Sequence, residues 1–341
     1  MSTLPHGALQ ADLDWSIIRE QARAFVTTEY ASLDRAGSPV TWPVTPYPGD
    51  GGTLDVSTGL AYPLKAERAR RNPKVALTFS EPRGSGLSRP ATFVVQGLAT
   101  VRDADLRANA TRYLAQSHER FPQIYAATPS FMLRSMAFYW CRIWVEVTPV
   151  RVLWWPDGNL DQEPLIWLPL PPLPAAPSDP APHGRGSGSW NTAEPVDWRT
   201  RTRGALDRFG LPVLTTVTAD GWPLPVRVRH AEPTATGFRV APPVGIEVIG
   251  GAANLTFHRH DEVFDSQDNI GLVGRAHANA DGTVDFEAGR ALNDFVVPKN
   301  PLRRVIYLGG AGRRLSKRLI SEAARRGQTV PALAELGFDK R

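Results

Sequence analysis

The run LDVSTGLAYPLKAERARRNPKVALTF, Leu54 to Phe79, decides how the rest of the chain is read. Leu54 and Val56, then Val75, Leu77 and Phe79, alternate with the period of a strand, so a strand is expected at each end. Between them, YPLKAERARR is short, rich in helix formers and basic, the pattern of a brief helix. Alternation explains neither the hydroxyl pair Ser57-Thr58 at the end of the first strand nor Lys65 seven residues after Thr58. A strand end leaves backbone N–H groups free, and hydroxyls beside them add donors. Lys65 at the start of the next helix adds a mobile point charge, and the helix N-terminus adds a favourable dipole. Together these are the parts a bound phosphate needs; taken singly, Lys65 with Arg68, Arg70 and Arg71 also reads as one basic helix face, and Ser57-Thr58 as a strand cap.

Composition sets the frame for that site. At 341 residues, 42% hydrophobic and 21% charged, the chain has the length of two ordinary globular domains. No apolar run reaches the roughly 20 residues of a membrane span. The opening MSTLPHGALQADLDW lacks a basic region followed by an apolar core, so no secretory signal is expected. A lone cysteine, Cys141, rules out an internal disulfide framework and fits a reducing cytoplasm. The net charge of +5 is carried by arginine clusters such as Arg68 to Arg71 and Arg199 to Arg203. These read as solvated helix faces or as attraction for an anion. No nucleic-acid reader motif accompanies them, and no nucleic-acid partner is expected. Nucleophile motifs, a Walker loop, a dinucleotide fingerprint and a zinc motif are absent as well.

From Trp155 to about Asp197 the chain turns proline-rich, then rich in Gly and Ser, with no helical or strand period. It reads as an interdomain linker whose first part lies on a domain surface through Leu165, Ile166 and Trp167. The expected division is residues 1–155, a linker at 156–197, and residues 198–341. The elements recur in the same order on either side. KVALTFSEP is matched by AANLTFHRHD, and ATFVVQGLATVRD by QDNIGLVGRAHANADG. Gly97 follows Phe79 by 18 residues and Gly274 follows Phe257 by 17. Such spacing points to a duplicated domain, each copy mainly β with flanking helices. Helices are expected at about Tyr62 to Arg71, Ala104 to Ser117, Ser130 to Met136 and Pro301 to Arg326. Tyr139 to Trp155 reads as a long closing strand with core aromatics, and Cys141 within it as a buried, inert thiol.

The stretch SPVTWPVTPYPGDGGTLDVSTGLAYPLKAERARRNPKVALTF resembles the core of the pyridoxamine 5'-phosphate oxidase-like, flavin-binding split-barrel family. There a Pro-Val hairpin leads to a strand ending in hydroxyls, then a lysine and short helix, then NP and the next strand. The resemblance covers about Phe25 to Trp154, and more weakly Leu206 to Ala291 as a second copy. It implies two tandem split β-barrels, with FMN or the deazaflavin coenzyme F420 held by Ser57, Thr58 and Lys65. Along the hairpin, Trp42, Pro43, Val44 and Thr45 would present backbone groups to the polar edge of the ring system, and Gln96 resembles a position that approaches it. Tyr30, Tyr47 and Trp42 are candidate pocket lining, equally explained by packing. The chain departs from the family in offering no second basic residue upstream of Thr58. The second copy has GIEVIGGAANLTF in place of the hydroxyl-plus-lysine pattern. It reads as a degenerate barrel standing in for half of a dimer, so either a pseudo-dimeric monomer or a homodimer is expected.

The implied function is a flavin- or deazaflavin-dependent oxidoreductase acting on a small organic substrate, with no assignable catalytic acid. The alternative is a non-catalytic split-barrel protein that binds a cofactor or haem, or serves as a scaffold. His258 and His260 share a strand face beside Asp261, which reads as a surface or interface feature more readily than as the start of a metal site.

Overall fold

Each half of the chain folds into an antiparallel sheet, and the two sheets share one strand order. The first holds β1 (Thr28–Leu33), β2 (Pro39–Val44), β3 (Pro46–Pro48), β4 (Leu54–Gly59), β5 (Lys74–Phe79), β6 (Thr92–Arg102), β7 (Arg142–Trp155) and β8 (Leu165–Trp167). The second holds β9 (Val213–Val217), β10 (Pro223–Arg227), β11 (His230–Pro233), β12 (Gly237–Ala241), β13 (Gly251–His260), β14 (Gln267–Ala278), β15 (Val284–Ala291) and β16 (Val296–Val297). The orders are β2-β1-β5-β6-β7-β4-β3 and β10-β9-β13-β14-β15-β12-β11, seven strands with matching places, while β8 pairs with β7 and β16 with β14. The architecture is mainly β with flanking helices, consistent with two tandem split barrels. The computed structural model describes residues 13–49, 51–188, 197–264, 266–292, 296–297 and 301–338.

The glycines that pair in sequence also pair in structure. The ladder register shifts between Gln96 and Gly97 on β6, and between Val273 and Gly274 on β14. A Cβ at Gly97 would stand 2.5 Å from the Thr148 carbonyl oxygen, and one at Gly274 would collide with the Glu287 carbonyl. Both bulges therefore demand glycine, because the partner strand's backbone fills the space.

The helices are unevenly shared. In the first half, α1 (Trp15–Ala24) precedes β1 and α2 (Leu64–Arg71) joins β4 to β5. Between β6 and β7 come α3 (Leu106–Arg120), α4 (Pro122–Ala127), α5 (Ser130–Ser135) and α6 (Ala137–Trp140). The closing strand β7 thus begins at Arg142 rather than Tyr139, since α6 takes up Tyr139 and Trp140. Trp144 and Trp154 pack in the first core, and burial raises the Cys141 thiol to about 12, as an inert thiol requires. The second half opens with α7 (Trp198–Thr202) and α8 (Ala205–Phe209), and no helix joins β12 to β13.

The last helix, α9 (Pro301–Arg325), read from sequence with the second half, packs on the first barrel. Its stripe Leu315, Leu319 and Ala323 is buried in that core. The proline-rich segment is also held down. β8 pairs with β7, the Asp179 carboxylate accepts from the Asp103 and Ala104 N–H groups, and Ser187 N–H donates to Glu322 Oε1 at 2.6 Å. Backbone groups that sequence composition assigns to coil thus find partners on the barrel and on α9.

The two sheets pack face to face through Ala31, Ala76, Val94, Leu153 and Trp155 on one side and Leu224 and Val226 on the other. Two hydrogen bonds across this junction are related by an approximate twofold. Thr78 donates to the Pro225 carbonyl at 2.7 Å, and Thr256, its match on β13, lies 3.4 Å from the Thr41 carbonyl. Thr41 itself meets Thr215 at 2.7 Å. One cluster breaks the symmetry. Glu29, only 1% exposed, accepts from Arg227 at 3.1 Å and Ser80 at 3.0 Å, and lies 2.5 Å from His258 Nε2. Strand register matches Glu29 with Val213 and Arg227 with Pro43, so no such cluster forms on the other side of the axis.

Candidate functional site

The hairpin tryptophan and the helix lysine meet. Lys65 Nζ lies over the Trp42 ring, 5.4 Å from its centroid. Trp42 stands on β2 opposite Tyr30 of β1, and Lys65 belongs to the first turn of α2. Ala66 and Ala69 bury the apolar stripe of α2 in the barrel, which leaves Lys65 and Arg68 on its flank. Pro63 at the N-cap supplies no side-chain cap, so first-turn N–H groups keep their donor capacity. Thr58, buried at the end of β4, donates to the Tyr62 carbonyl at 3.3 Å, a long bond that ties the strand end to the loop before α2.

Strand alternation divides the candidate residues between two faces. Thr58 continues the row of Leu54 and Val56, which lies in the first core, and Val44 packs against that core too. Trp42 shares the row of Tyr30, Leu77 and Val95. Ser57 points the other way and pairs with Trp144 beneath α3. Pro43 shares the face of Thr41, towards the second barrel, and Thr45 occupies the break between β2 and β3. Gln96 also turns to the second barrel. Its amide donates to the Pro223 carbonyl at 3.0 Å and accepts from Arg151 Nε at 2.5 Å. The structure therefore brings Lys65 to Trp42, turns Val44 and Thr58 to the core side of their strands, and places Ser57, Pro43 and Gln96 on other faces.

Three residues join the group that the sequence reading did not assign to it. Arg68, one turn along α2 from Lys65, is close enough to Tyr30 to influence its hydroxyl, and that hydroxyl is buried with no partner among the described residues. Arg142 faces Gly59 across the β4–β7 ladder, donates to the Tyr113 hydroxyl at 3.0 Å and lies over the Tyr113 and Tyr139 rings at 4.4 and 5.1 Å. Arg290 of β15 acts on Arg68 from the second barrel. Among the described residues no carboxylate stands within ion-pair distance of Lys65, Arg68 or Arg142. Arg68 was legible as part of a basic helix face. Arg142 was not, because only the β4–β7 register brings residue 142 to the end of β4.

The electrostatics follow from this crowding. Half-buried as a residue, Lys65 has an ammonium with little water around it. Burial, then the charges of Arg68 and Arg142, push its pKa down to about 7. Burial likewise lowers Arg68, with Arg71 and Arg290 adding to the effect and Tyr30 and Asp34 opposing it. Uncompensated cations in a poorly hydrated place are what a bound anion relieves. Two clefts lie elsewhere, one of about 890 Å³ and one of about 360 Å³, and neither is lined by Lys65 or Trp42. The smaller has its charges already paired, Arg112 with Asp55 and Arg102 with Glu146. Lys65, Arg68 and Arg142, cations with no carboxylate beside them among the described residues, mark the candidate site rather than hollow shape.

The histidine pair lies away from it. His258 is part of the Glu29 cluster between the barrels, and His260 Nδ1 stands 2.9 Å from the Asp261 carbonyl. Among the described residues no group of three or more His, Cys, Asp or Glu is placed to hold a metal ion. No helix among them is long and apolar enough to cross a membrane.

Neither a protein-family model nor a curated protein matches the chain. Solved structures do. The chain is similar to split-barrel proteins related to pyridoxamine 5'-phosphate oxidase. One is a pyridoxamine 5'-phosphate oxidase-related, FMN-binding protein of Nostoc punctiforme, at 16% identity and TM-score 0.29, covering 43% of this chain and 86% of that one. A conserved hypothetical protein of Mycobacterium tuberculosis matches at 18% identity and TM-score 0.35, covering 46% and 93%. The haem storage protein of Vibrio cholerae matches at 16% identity and TM-score 0.30, covering 43% and 97%. Each match spans about half of this chain, the length of one barrel.

Proposed function

We propose that the first barrel binds the phosphate of a flavin-type cofactor, FMN or coenzyme F420, and that the protein is an oxidoreductase acting on a small organic substrate. The observation that carries this reading is Lys65 over Trp42, with Arg68 and Arg142 nearby and no carboxylate paired to any of the three among the described residues. The residues fit such a group. Lys65 and Arg68 supply charge, the α2 first turn supplies N–H donors, and Tyr30 supplies an unspent buried hydroxyl. Thr58 gives up little when its long bond to the Tyr62 carbonyl is exchanged for one to a phosphate oxygen.

A flavin or deazaflavin, when bound, supplies hydride transfer. The chain's own part is to bind, orient and exclude water. Trp42 offers a flat apolar face beside the cation, and Arg142, held by its tyrosine partners, keeps positive charge fixed behind the strand end. Lys65, poised near neutrality, takes up a proton as the anion arrives and so adjusts its charge to the ligand. No side chain is assigned as general acid or base.

Stopped-flow reduction and reoxidation of the cofactor-loaded protein tests the activity. Turnover at about 1 per second or faster, the lower end of ordinary enzyme rates, supports it. A bound cofactor that neither reduces nor reoxidises leaves a binding or storage protein.

A further inference from the structure

The larger cleft, of about 890 Å³, lies in the first barrel against the turn that joins β13 to β14 of the second. α1 contributes Arg19, and the end of α3 contributes Arg120. Each guanidinium is anchored by a main-chain carbonyl, Arg19 to Gly49 at 2.7 Å and Arg120 to Phe25. Neither has a carboxylate within ion-pair distance among the described residues. The two carboxylates in the lining, Glu119 and Glu262, are exposed, and Glu119 pairs with Arg23 at 3.7 Å. Tyr47, a candidate for the cofactor pocket in the sequence, lines this cleft instead, and with Phe121, Val26 and Val263 gives it its apolar part.

The far wall is built with care. Phe264 holds φ at 56°, a value bulky residues rarely adopt, and stacks on Phe121 with centroids 5.0 Å apart. Gln123 Nε2 donates to the Val263 carbonyl at 2.7 Å. Gly84, at φ 73°, lies so close to the Glu262 carbonyl that a Cβ there would collide with it. Three separate contacts from the first half therefore fix one turn of the second. Strain kept in place by its surroundings is a mark of functional walls. The volume is that of a site for a small organic ligand.

We infer that this cleft is a second ligand site, separate from the cofactor site, for an organic acid: a carboxylate or phosphate ester held by Arg19 and Arg120, with an aromatic or aliphatic body against Phe121 and Tyr47. Two anchored guanidiniums without counter-ions select the anion, and the apolar lining selects the body. Because the β13–β14 turn closes the wall, occupancy also tightens the contact between the two halves.

The test is calorimetric titration of the 341-residue chain with naphthoate, naphthyl phosphate and uncharged naphthol. At least one acid is expected to bind about tenfold or more tightly than naphthol, and whichever acid binds names the head group. Arg19→Gln and Arg120→Gln should each weaken that acid about tenfold and leave naphthol unchanged. Lys65→Ala should leave it unchanged, which separates this site from the cofactor site. Should either arginine variant fail to fold, hydrogen exchange on the unaltered chain decides, with protection by the acid expected in α1 and at residues 262–264. Equal binding of acid and naphthol, no binding at millimolar concentration, or protection elsewhere would overturn the proposal.

Discussion

Lys65 Nζ sits 5.4 Å from the centre of the Trp42 ring, joining a helix that follows β4 to a hairpin strand that precedes it. A cation against an aromatic face, with further cations beside it and no carboxylate paired to it, is stable only in part. Its pKa near 7 records the remaining debt to solvation.

That value has a sign that stability measurements can read. The folded Lys65 titrates at about 7, whereas an unfolded lysine titrates at about 10.4. Between these values the unfolded chain binds the proton and the folded chain does not, so this group makes stability rise with pH. Lys65→Met should remove that part of the rise between pH 7 and 9.5, measured as the difference in denaturation midpoint from the unaltered protein. An identical pH dependence in the two proteins would show that Lys65 is not depressed.

Cofactor binding should carry the opposite linkage. A phosphate beside Lys65 favours the charged form, so binding at pH 8 takes up a proton and affinity declines as pH rises above about 7. Titration calorimetry in two buffers of different ionisation enthalpy counts that proton. Lys65→Met should abolish the uptake.

Glu29 is the test of how the barrels hold together. Burial alone would raise its carboxyl pKa, but His258, Arg227 and Ser80 together bring it below the usual value. Its contribution to stability is therefore present above pH ~4.3 and lost as pH falls through the depressed folded value. Glu29→Ala removes the carboxylate that Arg227 and His258 share and should cost about 3–5 kcal/mol by chemical denaturation. Glu29→Ala combined with Arg227→Ala should cost less than the sum of the two single changes.

The C-terminal helix gives a third stability test. Leu319, 3% exposed, lies in the core of the first barrel, so Leu319→Ala should destabilise that barrel by about 2–5 kcal/mol. Hydrogen exchange should then rise in α6 and the first core before it rises in β9 and β13. The reverse order would return α9 to the second half.

How much of this was legible in the sequence depended on how locally each feature is encoded. The duplication was visible because KVALTF and AANLTF, and the glycines of the two bulges, repeat at nearly fixed spacing. Trp42 and Lys65, which the structure brings into contact, could both be singled out from motif order, since each lies in a locally encoded element, one hairpin strand and one short helix. Gln96 and Ser57 were assigned to the cofactor from the resemblance, but the face each takes was not legible, because strand parity and a bulge decide it and one residue of register reverses the answer. Arg142 and the docking of α9 depend on contacts between distant parts of the chain, which no local pattern encodes. The proline-rich segment looked like coil because its partners, Asp103, Ala104 and Glu322, lie far from it in sequence.

The phosphate site itself is tested most directly by comparing FMN with riboflavin, which differ by the phosphate alone, in an equilibrium titration followed by tryptophan and flavin fluorescence. Trp42 beside the ring should give quenching that Trp42→Leu removes. FMN is predicted to bind about tenfold to a hundredfold more tightly than riboflavin, and Lys65→Ala should erase most of that difference, a loss of about 1–3 kcal/mol. If FMN fails to bind, coenzyme F420 and its dephosphorylated core take the same test with the same expectation. Equal affinity for the phosphorylated and unphosphorylated forms, or a preference that survives loss of Lys65, would contradict the account.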